Sequence, residues 1–221
     1  MSYVAGSPAG VFIGLEGIDG CGKSTQIRLL RAALLRRGCR VGYAGSPGCT
    51  LREPGGTPLG ESIRRRLLHH RSEMQPWAEA LLYAAARAQL AHDVLVPSLA
   101  AGWVVLIDRF VDSSLAYQGH ARGLGMDEVL RLNLLATGGV LPRVSVVIAL
   151  DPAEATVRQR GTPDRIEAEG LAFQLRVAAG YAQLAERFPE RIVVVDGARP
   201  PQEVAADVER AALAALERQG V

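Results

Sequence analysis

Between the apolar run Val11–Leu15 and the helical pattern Gln26–Arg37 stands Gly17-Ile18-Asp19-Gly20-Cys21-Gly22-Lys23-Ser24-Thr25. This run matches G-x-x-x-x-G-K-[ST], and it has the strand-then-helix context that the pattern requires. Glycines let the backbone curl so that successive N–H groups point at phosphate oxygens, and a helix N-terminus adds a favourable dipole for negative charge. The run therefore predicts a nucleoside triphosphate site made by these nine residues. A glycine-rich turn without a ligand is the alternative.

Lys23 and Ser24 supply the side-chain chemistry of this loop. The lysine ammonium is a compact, mobile charge that can reach β- and γ-phosphates, and the serine hydroxyl can bind Mg²⁺. Lys23 is also the only lysine among 25 Lys and Arg residues. A compositional bias toward Arg explains the general pattern. The need for a compact cation in an enclosed loop explains the exception.

Apolar runs and helical patterns alternate along the rest of the chain. The predicted strands are Val11–Leu15, Arg40–Ala44, Trp103–Asp108, Val144–Leu150 and Arg191–Val195. The predicted helices are Gln26–Arg37, Leu59–His70, Trp77–Ala101, Asp127–Ala136, one from Pro152, one ending near Arg187, and Glu203–Glu217. Buried strands separated by helices indicate an α/β protein with a three-layer P-loop NTPase fold: a five-stranded parallel sheet with helices on both faces.

Three segments interrupt this alternation. Gly45–Pro58 is rich in Gly, Pro and Ser, which predicts a loop, and Asp112–Gly125 is predicted to be a polar turn. The polar insert Arg158–Gly170 is a candidate lid. Because the chain has no repeat or long linker, we expect a single domain over residues 1–221, with the lid at about 158–170.

The composition excludes several classes of protein. With 48% hydrophobic residues the chain can bury a core, and a net charge of +2 does not suit a nucleic-acid-binding arm. No apolar run approaches the ~20 residues that span a bilayer, and the first residues lack a signal-peptide pattern. Three cysteines without C-x-x-C indicate reduced thiols. We therefore expect a cytoplasmic protein that binds neither nucleic acid nor membranes.

Three classes of protein could use the predicted triphosphate site: a GTPase switch, a motor or regulatory ATPase, or a phosphotransferase. The guanine-reading motif N-K-x-D is absent, since the single lysine lies in the phosphate loop. The small size of the chain and a second set of polar motifs favour a kinase with a separate acceptor pocket.

Part of this second set follows predicted strands, at the sheet edge where open α/β folds bind ligands. Arg52 can clamp a phosphate with two hydrogen bonds, or form a surface ion pair. Asp108 ends the third predicted strand, where it can hold Mg²⁺ through water, and the adjacent Arg109 can contact phosphate. An ion pair within the loop is the alternative for these two.

Helices and the candidate lid carry the other members of the set. Tyr83 and Arg87 are four residues apart, so they share a helix face and could stack on a base and bind its edge. Core packing with a surface charge is the alternative. The lid carries three arginines that could neutralise a phosphoryl group in transfer, namely Arg158, Arg160 and Arg165.

The sequence resembles the bacterial thymidylate kinase family through almost its whole length. The matching blocks are FIGLEGIDGCGKSTQ at 12–26, REPGGTPLGE at 52–61, LLYAAARAQ at 81–89, DRFVDSSLAYQG at 108–119 and RQRGTPDRIE at 158–167. The resemblance implies transfer of a phosphoryl group from MgATP to dTMP. The alternatives are a kinase for another nucleoside monophosphate and a non-catalytic nucleotide-sensing module.

The resemblance also implies a role for each matching residue. Lys23 lies on the β/γ-phosphates, and Asp19 meets the sugar 3′-hydroxyl. Arg52 and Arg109 hold the acceptor phosphate. For the base, the resemblance implies that Tyr83 stacks on thymine and that Arg87 contacts a thymine carbonyl. Ser113 and Gln118 fall in the segment that contacts the base and sugar, and Tyr117 excludes a ribose 2′-hydroxyl.

The phosphate-loop pattern and the end of the third predicted strand give Ser24 and Asp108 as the predicted Mg²⁺ positions. Catalytic and assembly roles follow from the resemblance. Because Gly20 fills the position where some members carry a catalytic arginine, the resemblance implies the lid-arginine type. Tyr83 stands where Phe is commoner, and Ala86 where many members have a polar residue. A homodimer is implied, through the apolar helix around Trp77–Leu99.

Overall fold

The core is a five-stranded sheet in which every strand is parallel. A computed structural model describes residues 10–69, 73–159 and 163–219. In chain order its strands are β1 Val11–Glu16, β2 Gly42–Tyr43, β3 Ser46–Pro47, β4 Leu51–Arg52, β5 Val104–Asp108, β6 Val144–Ala149 and β7 Ile192–Asp196. The main sheet has the order β4-β5-β1-β6-β7, and β2 and β3 form a separate pair. The predicted fold class is confirmed.

Helices surround the sheet. They are α1 Lys23–Arg36, α2 Pro58–His69, α3 Pro76–Leu90, α4 Val96–Ala100, α5 Val111–Ser114, α6 Met126–Thr137, α7 Pro152–Arg158, α8 Leu171–Arg187 and α9 Pro201–Glu217. All six residues of β1 are buried, as expected for a central strand covered on both faces. Across the described residues, no helix is both long and apolar enough to cross a membrane.

The parallel register brings the polar ends of three strands to one edge of the sheet. Leu15 of β1 and Arg52 of β4 both pair with Asp108 of β5. The Glu53 backbone N–H then donates to the Asp108 carbonyl, at 3.0 Å. Because the phosphate loop leaves β1 at the same edge, the candidate residues of all three segments converge there.

The prediction that Arg40–Ala44 forms the second strand of the parallel sheet was wrong. Only Gly42–Tyr43 of Arg40–Ala44 is extended, and it pairs antiparallel with β3 instead of joining the main sheet. Gly42 has a φ of 134°, which turns the chain away after a single bridge between Val41 and Val104. The edge strand β4 lies instead within Gly45–Pro58, which was predicted to be a loop.

The prediction of a polar turn at Asp112–Gly125 was also wrong for most of this segment. It forms α5 and then a π-helical segment, Leu115–Ala121, whose residues are nearly all buried. The polar residues are buried because they find partners: Asp112 accepts from Arg191, and Gln118 donates to Glu79. The predicted helix Trp77–Ala101 is continuous, as α3, a π-helical turn over Ala91–Leu95, and α4.

Candidate active site

The phosphate loop has the backbone geometry that the glycine pattern predicts. Gly17, Gly20 and Gly22 have φ values of 132°, 83° and 103°, a region that side chains other than glycine rarely adopt. A Cβ on Gly17 would also lie 2.6 Å from the Ile148 carbonyl oxygen. The loop thus needs glycine for both conformation and space. It delivers the chain directly into α1, which begins at Lys23.

The Lys23 side chain folds back over the phosphate loop that precedes it. Its Nζ donates to the carbonyl oxygens of Gly17 at 3.1 Å and Ile18 at 2.9 Å. Only 7% of the residue is exposed, so the ammonium is enclosed and held by the backbone of its own loop. Ile18 and Cys21 are buried and contribute backbone to the loop.

Two adjoining cavities meet at the edge of the sheet. The cavity over the phosphate loop, the phosphate cleft, is lined by residues that include Gly20, Gly22, Lys23, Ser24, Thr25, Arg52 and Asp108. The second cavity, the acceptor pocket, is lined by residues that include Tyr83, Arg87, Ser113, Tyr117 and Gln118. Asp19, Glu53, Arg64 and Arg109 line both cavities. The structure therefore brings most of the candidate residues together around one junction.

Arg109 and Asp19 form an ion pair at this junction. Arg109 Nη2 donates to Asp19 Oδ1 at 2.6 Å, and Tyr117 donates its hydroxyl hydrogen to Asp19 Oδ2 at 3.3 Å. Burial alone would raise the pKa of Asp19, but Arg109 and Lys23 lower it to about 2. Arg109 is the one non-glycine residue of the described segments with positive φ, 67°. Such conformations concentrate at sites whose surroundings fix them.

Glu16 fixes the helix start that carries Ser113. This fully buried carboxylate, at the end of β1, accepts from the Phe110 N–H at 2.7 Å, from Ser113 Oγ at 2.6 Å and from the Tyr181 hydroxyl at 2.9 Å. Burial and the nearby Asp112 raise its pKa. Sequence reasoning missed Glu16, although a glutamate that ends an apolar strand just before a phosphate loop is a visible signal.

Arg87 is buried among polar partners. Its Nε donates to Glu53 Oε2 at 2.6 Å, Nη1 to Ser114 Oγ at 3.0 Å and to Asn133 Oδ1, and Nη2 to the Phe110 carbonyl at 3.0 Å. These contacts use four of the five guanidinium N–H groups. The remaining N–H is on Nη2, in a residue that lines the acceptor pocket. Arg87 is therefore held rigidly while keeping one donor for a ligand.

Glu53 is the second acidic residue that sequence reasoning missed. It follows Arg52 in the predicted loop, and burial raises its pKa to about 7 although Arg87 opposes this. Its Oε1 is buried and has no hydrogen-bond partner among the described residues. The bond between Glu53 and Pro54 is cis. Arg52 itself is largely exposed, 3.4 Å from Glu61, and its side chain lines the phosphate cleft.

The donor set at Ser24 and Asp108 fits a divalent cation. Both residues line the phosphate cleft, and Asp108 Oδ1 is buried without a hydrogen-bond partner among the described residues. A carboxylate oxygen in that state suits an ion or its water ligands. Within residues 10–69, 73–159 and 163–219, no group of three His, Cys, Asp or Glu side chains could hold a metal. A cation at Asp108 would therefore take most of its ligands from phosphates and water.

The lid arginines occupy different places. Arg158 ends α7, and its guanidinium donates to the Gly197 carbonyl at 3.2 Å and to Glu154 at 2.5 Å. Arg165 donates to Glu79 at 2.7 Å. Arg160 lies outside the residues that the structure describes. Asp164 and Ile166, on either side of Arg165, line the acceptor pocket.

The comparisons with known proteins agree with this arrangement. A family model described as thymidylate kinase matches residues 15–208. The chain belongs to the thymidylate kinase family. The resemblance seen in the sequence is thus confirmed.

Several known thymidylate kinases are similar to this family member along most of their length. A thymidylate kinase of Thermoanaerobacter sp. (strain X514) is 44% identical over 200 residues, which cover 90% of this chain and 95% of the relative. That of Pelotomaculum thermopropionicum is 47% identical over 212 residues, 94% of this chain and 95% of the relative. That of Gloeobacter violaceus is 50% identical over 190 residues, 84% and 86% of the two chains.

Proposed function

We propose that the protein transfers the γ-phosphoryl group of ATP to the phosphate of dTMP and releases ADP and dTDP. The observation that carries this proposal is the junction of two cavities at Asp19 and Arg109. One cavity is built around a phosphate loop and the other around an aromatic residue and a buried arginine. A phosphoryl group can pass directly between two nucleotides only where their phosphates meet, and this junction provides such a point.

On the donor side, the loop Gly17–Thr25 binds the phosphates of ATP through its backbone N–H groups and Lys23. Lys23 exchanges its carbonyl partners for phosphate oxygens. Mg²⁺, when bound, neutralises charge on the β- and γ-phosphates, and Ser24 and Asp108 are the residues that would hold it. These contacts place the γ-phosphorus at the mouth of the acceptor pocket.

On the acceptor side, Arg52 and Arg109 bind the phosphate of dTMP. One of its oxygens forms a bond to the γ-phosphorus while the bond from that phosphorus to the bridging oxygen of ADP breaks. The attacking oxygen is already anionic, so the transfer requires no strong general base. Catalysis then rests on positioning and on neutralising charge as it shifts between the phosphates.

The acceptor pocket distinguishes the nucleoside. Tyr83 stacks on the base, and the remaining Nη2 donor of Arg87 binds a thymine carbonyl. Asp19 contacts the 3′-hydroxyl, and the Tyr117 ring crowds the position of a ribose 2′-hydroxyl. Ser113 and Gln118 complete the wall of this pocket.

The lid, over about 158–170, supplies further positive charge. Arg158, Arg160 and Arg165 are the candidates, and Arg160 is the one we favour for contact with the transferring group. Arg158 and Arg165 both have carboxylate partners in this structure. Closure of the lid would exclude water and limit hydrolysis of ATP.

We also propose a homodimer. Trp77 and Leu81, one turn apart on α3, are 44% and 53% exposed, and Leu135 on α6 is 84% exposed. Helix α3 packs against α2 and α6, so these side chains belong to one group of helices. Analytical ultracentrifugation would test this: Leu81→Glu should shift the protein to a monomer, and a monomeric wild type would overturn the proposal. The predicted cytoplasmic location stays a prediction.

A coupled assay of ADP release tests the proposed reaction. Wild-type protein with MgATP should respond to dTMP far more strongly than to dCMP, dAMP or dGMP. ADP release with one of these and none with dTMP would indicate a kinase for another monophosphate. Tight ATP binding with no transfer to any monophosphate would indicate a nucleotide-sensing module.

A further inference from the structure

Glu79 is a fully buried carboxylate that joins three other parts of the protein. It lies on α3, one turn before Tyr83, and is 0% exposed. Gln118 Nε2 donates to its Oε1 at 2.8 Å, and Arg165 donates to its Oε2 at 2.7 Å. Arg122 donates to both oxygens, at 3.3 and 3.2 Å. None of these partners is near Glu79 in the sequence, and the proposed chemistry does not use this carboxylate.

The two guanidinium groups determine the charge of Glu79. A carboxylate buried between Arg122 and Arg165 is stable as an anion because both partners are charged and hydrogen-bonded to it. Burial by itself would lower the pKa of Arg122, but Glu79 raises it above its usual value. An ionised carboxylate has no proton to donate, so it can only accept hydrogen bonds.

This charge fixes the orientation of the Gln118 side chain. Since Glu79 only accepts, the Gln118 atom 2.8 Å from it must be the amide nitrogen, whatever the amide flip. The amide carbonyl is then the group that Gln118 can present to the acceptor pocket, which it lines. The pocket therefore offers a hydrogen-bond acceptor at this point.

An acceptor at this position selects between pyrimidines. Thymine and uracil carry a hydrogen on N3 and can donate to the Gln118 carbonyl, whereas N3 of cytosine carries only a lone pair. A site built to bind a substrate N–H strongly rejects an analogue that lacks it, because the polar group of the site is left unpaired. The orientation that Glu79 imposes on Gln118 thus favours a base with an N3 hydrogen.

The other oxygen of Glu79 holds the end of the lid. Arg165 also donates from Nε to the Leu67 carbonyl at 2.7 Å, and its backbone N–H donates to the Leu68 carbonyl at 3.0 Å. With these contacts made, its neighbours Asp164 and Ile166 form part of the acceptor pocket wall. The same carboxylate therefore anchors both the base-reading amide and the lid segment 163–169.

We propose that Glu79 is a positioning residue: it orients the Gln118 amide so that the acceptor pocket selects an N3–H pyrimidine, and it docks the lid segment 163–169 through Arg165. This inference rests on the proposed function for the nature of the substrate. The part of the proposal that concerns docking of the lid segment rests only on the observed contacts of Arg165.

Glu79→Gln tests the orientation. The variant keeps the shape but can donate a hydrogen bond, so Gln118 becomes free to turn. We expect kcat/KM for dTMP to fall about 10- to 100-fold, mainly through KM. The ratio of kcat/KM for dTMP to that for dCMP should fall at least about tenfold. A loss of equal size with both substrates would indicate a merely structural role and would overturn the orientation.

The double variant Glu79→Gln, Gln118→Glu is the matched rescue. A glutamate at position 118 has only acceptor oxygens, and the amide introduced at position 79 can donate to it, so an acceptor again faces the pocket. The dTMP-to-dCMP ratio should recover most of what the single variant lost. A double variant no more selective than Glu79→Gln contradicts the proposal.

Hydrogen–deuterium exchange without nucleotide tests the docking. Segment 163–169 should exchange at least about tenfold faster in Glu79→Gln than in wild type, while β1 stays protected. Should that variant not fold, Arg165→Gln removes the contacts of Arg165 with Glu79 and with the Leu67 carbonyl, leaves the Glu79–Gln118 contact in place, and should give the same faster exchange. Unchanged exchange in the folded variant overturns the docking. A wild type inactive with dTMP removes the proposed function, but the exchange result still decides whether Glu79 docks the lid segment.

Discussion

Arg109 Nη2 lies 2.6 Å from Asp19 Oδ1, and both residues line the phosphate cleft and the acceptor pocket. The arginine has the left-handed backbone conformation, and Ser113 and Tyr181 are hydrogen-bonded to its other terminal nitrogen. The guanidinium is thus fixed by contacts within the protein. A cation held in advance costs no reorganisation when charge moves past it.

Asp19→Asn should weaken this fixation and lower the stability of the protein near neutral pH, while making that stability less dependent on pH. The pKa of Asp19 is lowered from 3.8 to about 2, so its ionised form stabilises the fold above pH ~4, and this stabilisation is lost as the pH falls toward 2. It amounts to about 2 kcal/mol. Urea unfolding between pH 2 and 7 should therefore show a smaller loss on acidification in Asp19→Asn than in wild type. Equal losses in the two proteins would contradict the assigned pKa.

Lys23→Arg should fold but lose at least about 100-fold in kcat. The planar guanidinium cannot enter the loop as a compact ammonium does. Circular dichroism establishes folding, and the coupled assay gives kcat. Arg36→Lys, the reverse exchange at the exposed end of α1, is the matched control and should keep normal turnover. Near-normal turnover of Lys23→Arg would make the single lysine an accident of composition.

Arg87→Met should destabilise the protein by about 3–5 kcal/mol, because it leaves the buried Glu53 carboxylate without its cation. Adding Glu53→Gln should restore much of this loss, since the uncompensated charge is removed. Urea unfolding of the two single variants and the double variant forms the necessary cycle. Additive losses would show that the two side chains do not depend on each other.

Arg160→Ala should lower kcat by about 100-fold or more and leave ATP binding nearly unchanged. Arg158→Ala should have a much smaller effect, because Arg158 already binds Glu154 and the Gly197 carbonyl. Steady-state kinetics and ATP titration separate the two effects. The opposite ranking would move the catalytic role to Arg158.

Asp108→Asn should raise the Mg²⁺ concentration needed for half-maximal activity, because the amide is a weaker metal ligand than the unpartnered carboxylate oxygen. Chelation should abolish activity in wild type. An Mg²⁺ dependence identical in wild type and variant would remove Asp108 from the metal site.

The sequence predicted the phosphate loop, most helices and the central strands of the main sheet, because these elements depend on local pattern. It could not predict β4, since a two-residue edge strand has no periodicity to detect. Nor could it predict the π-helical segment after α5, in which the polar residue Gln118 is buried. Its polar groups are satisfied by partners such as Glu79, 39 residues from Gln118 in the chain.

The residues of the candidate site likewise fall into those that the sequence revealed and those that it did not. Residues within contiguous motifs, such as Lys23, Arg109 and Arg87, were visible in the sequence. Tyr181 was not, because it reaches Glu16 across 165 residues and lies in an ordinary helical pattern. Supporting contacts of this kind depend on tertiary packing, which a single sequence does not display.

The enclosed ammonium of Lys23 has a practical consequence for chemical labelling. An amine-reactive reagent finds one lysine side chain in this sequence, and it is 7% exposed beneath the expected phosphates. Protection of the Lys23 amine by added nucleotides, measured at that residue, therefore reports occupancy of the predicted donor site. The same scarcity means that lysine-directed coupling to a surface or a dye would strike the phosphate loop, so cysteine chemistry at the exposed Cys49 is the better handle.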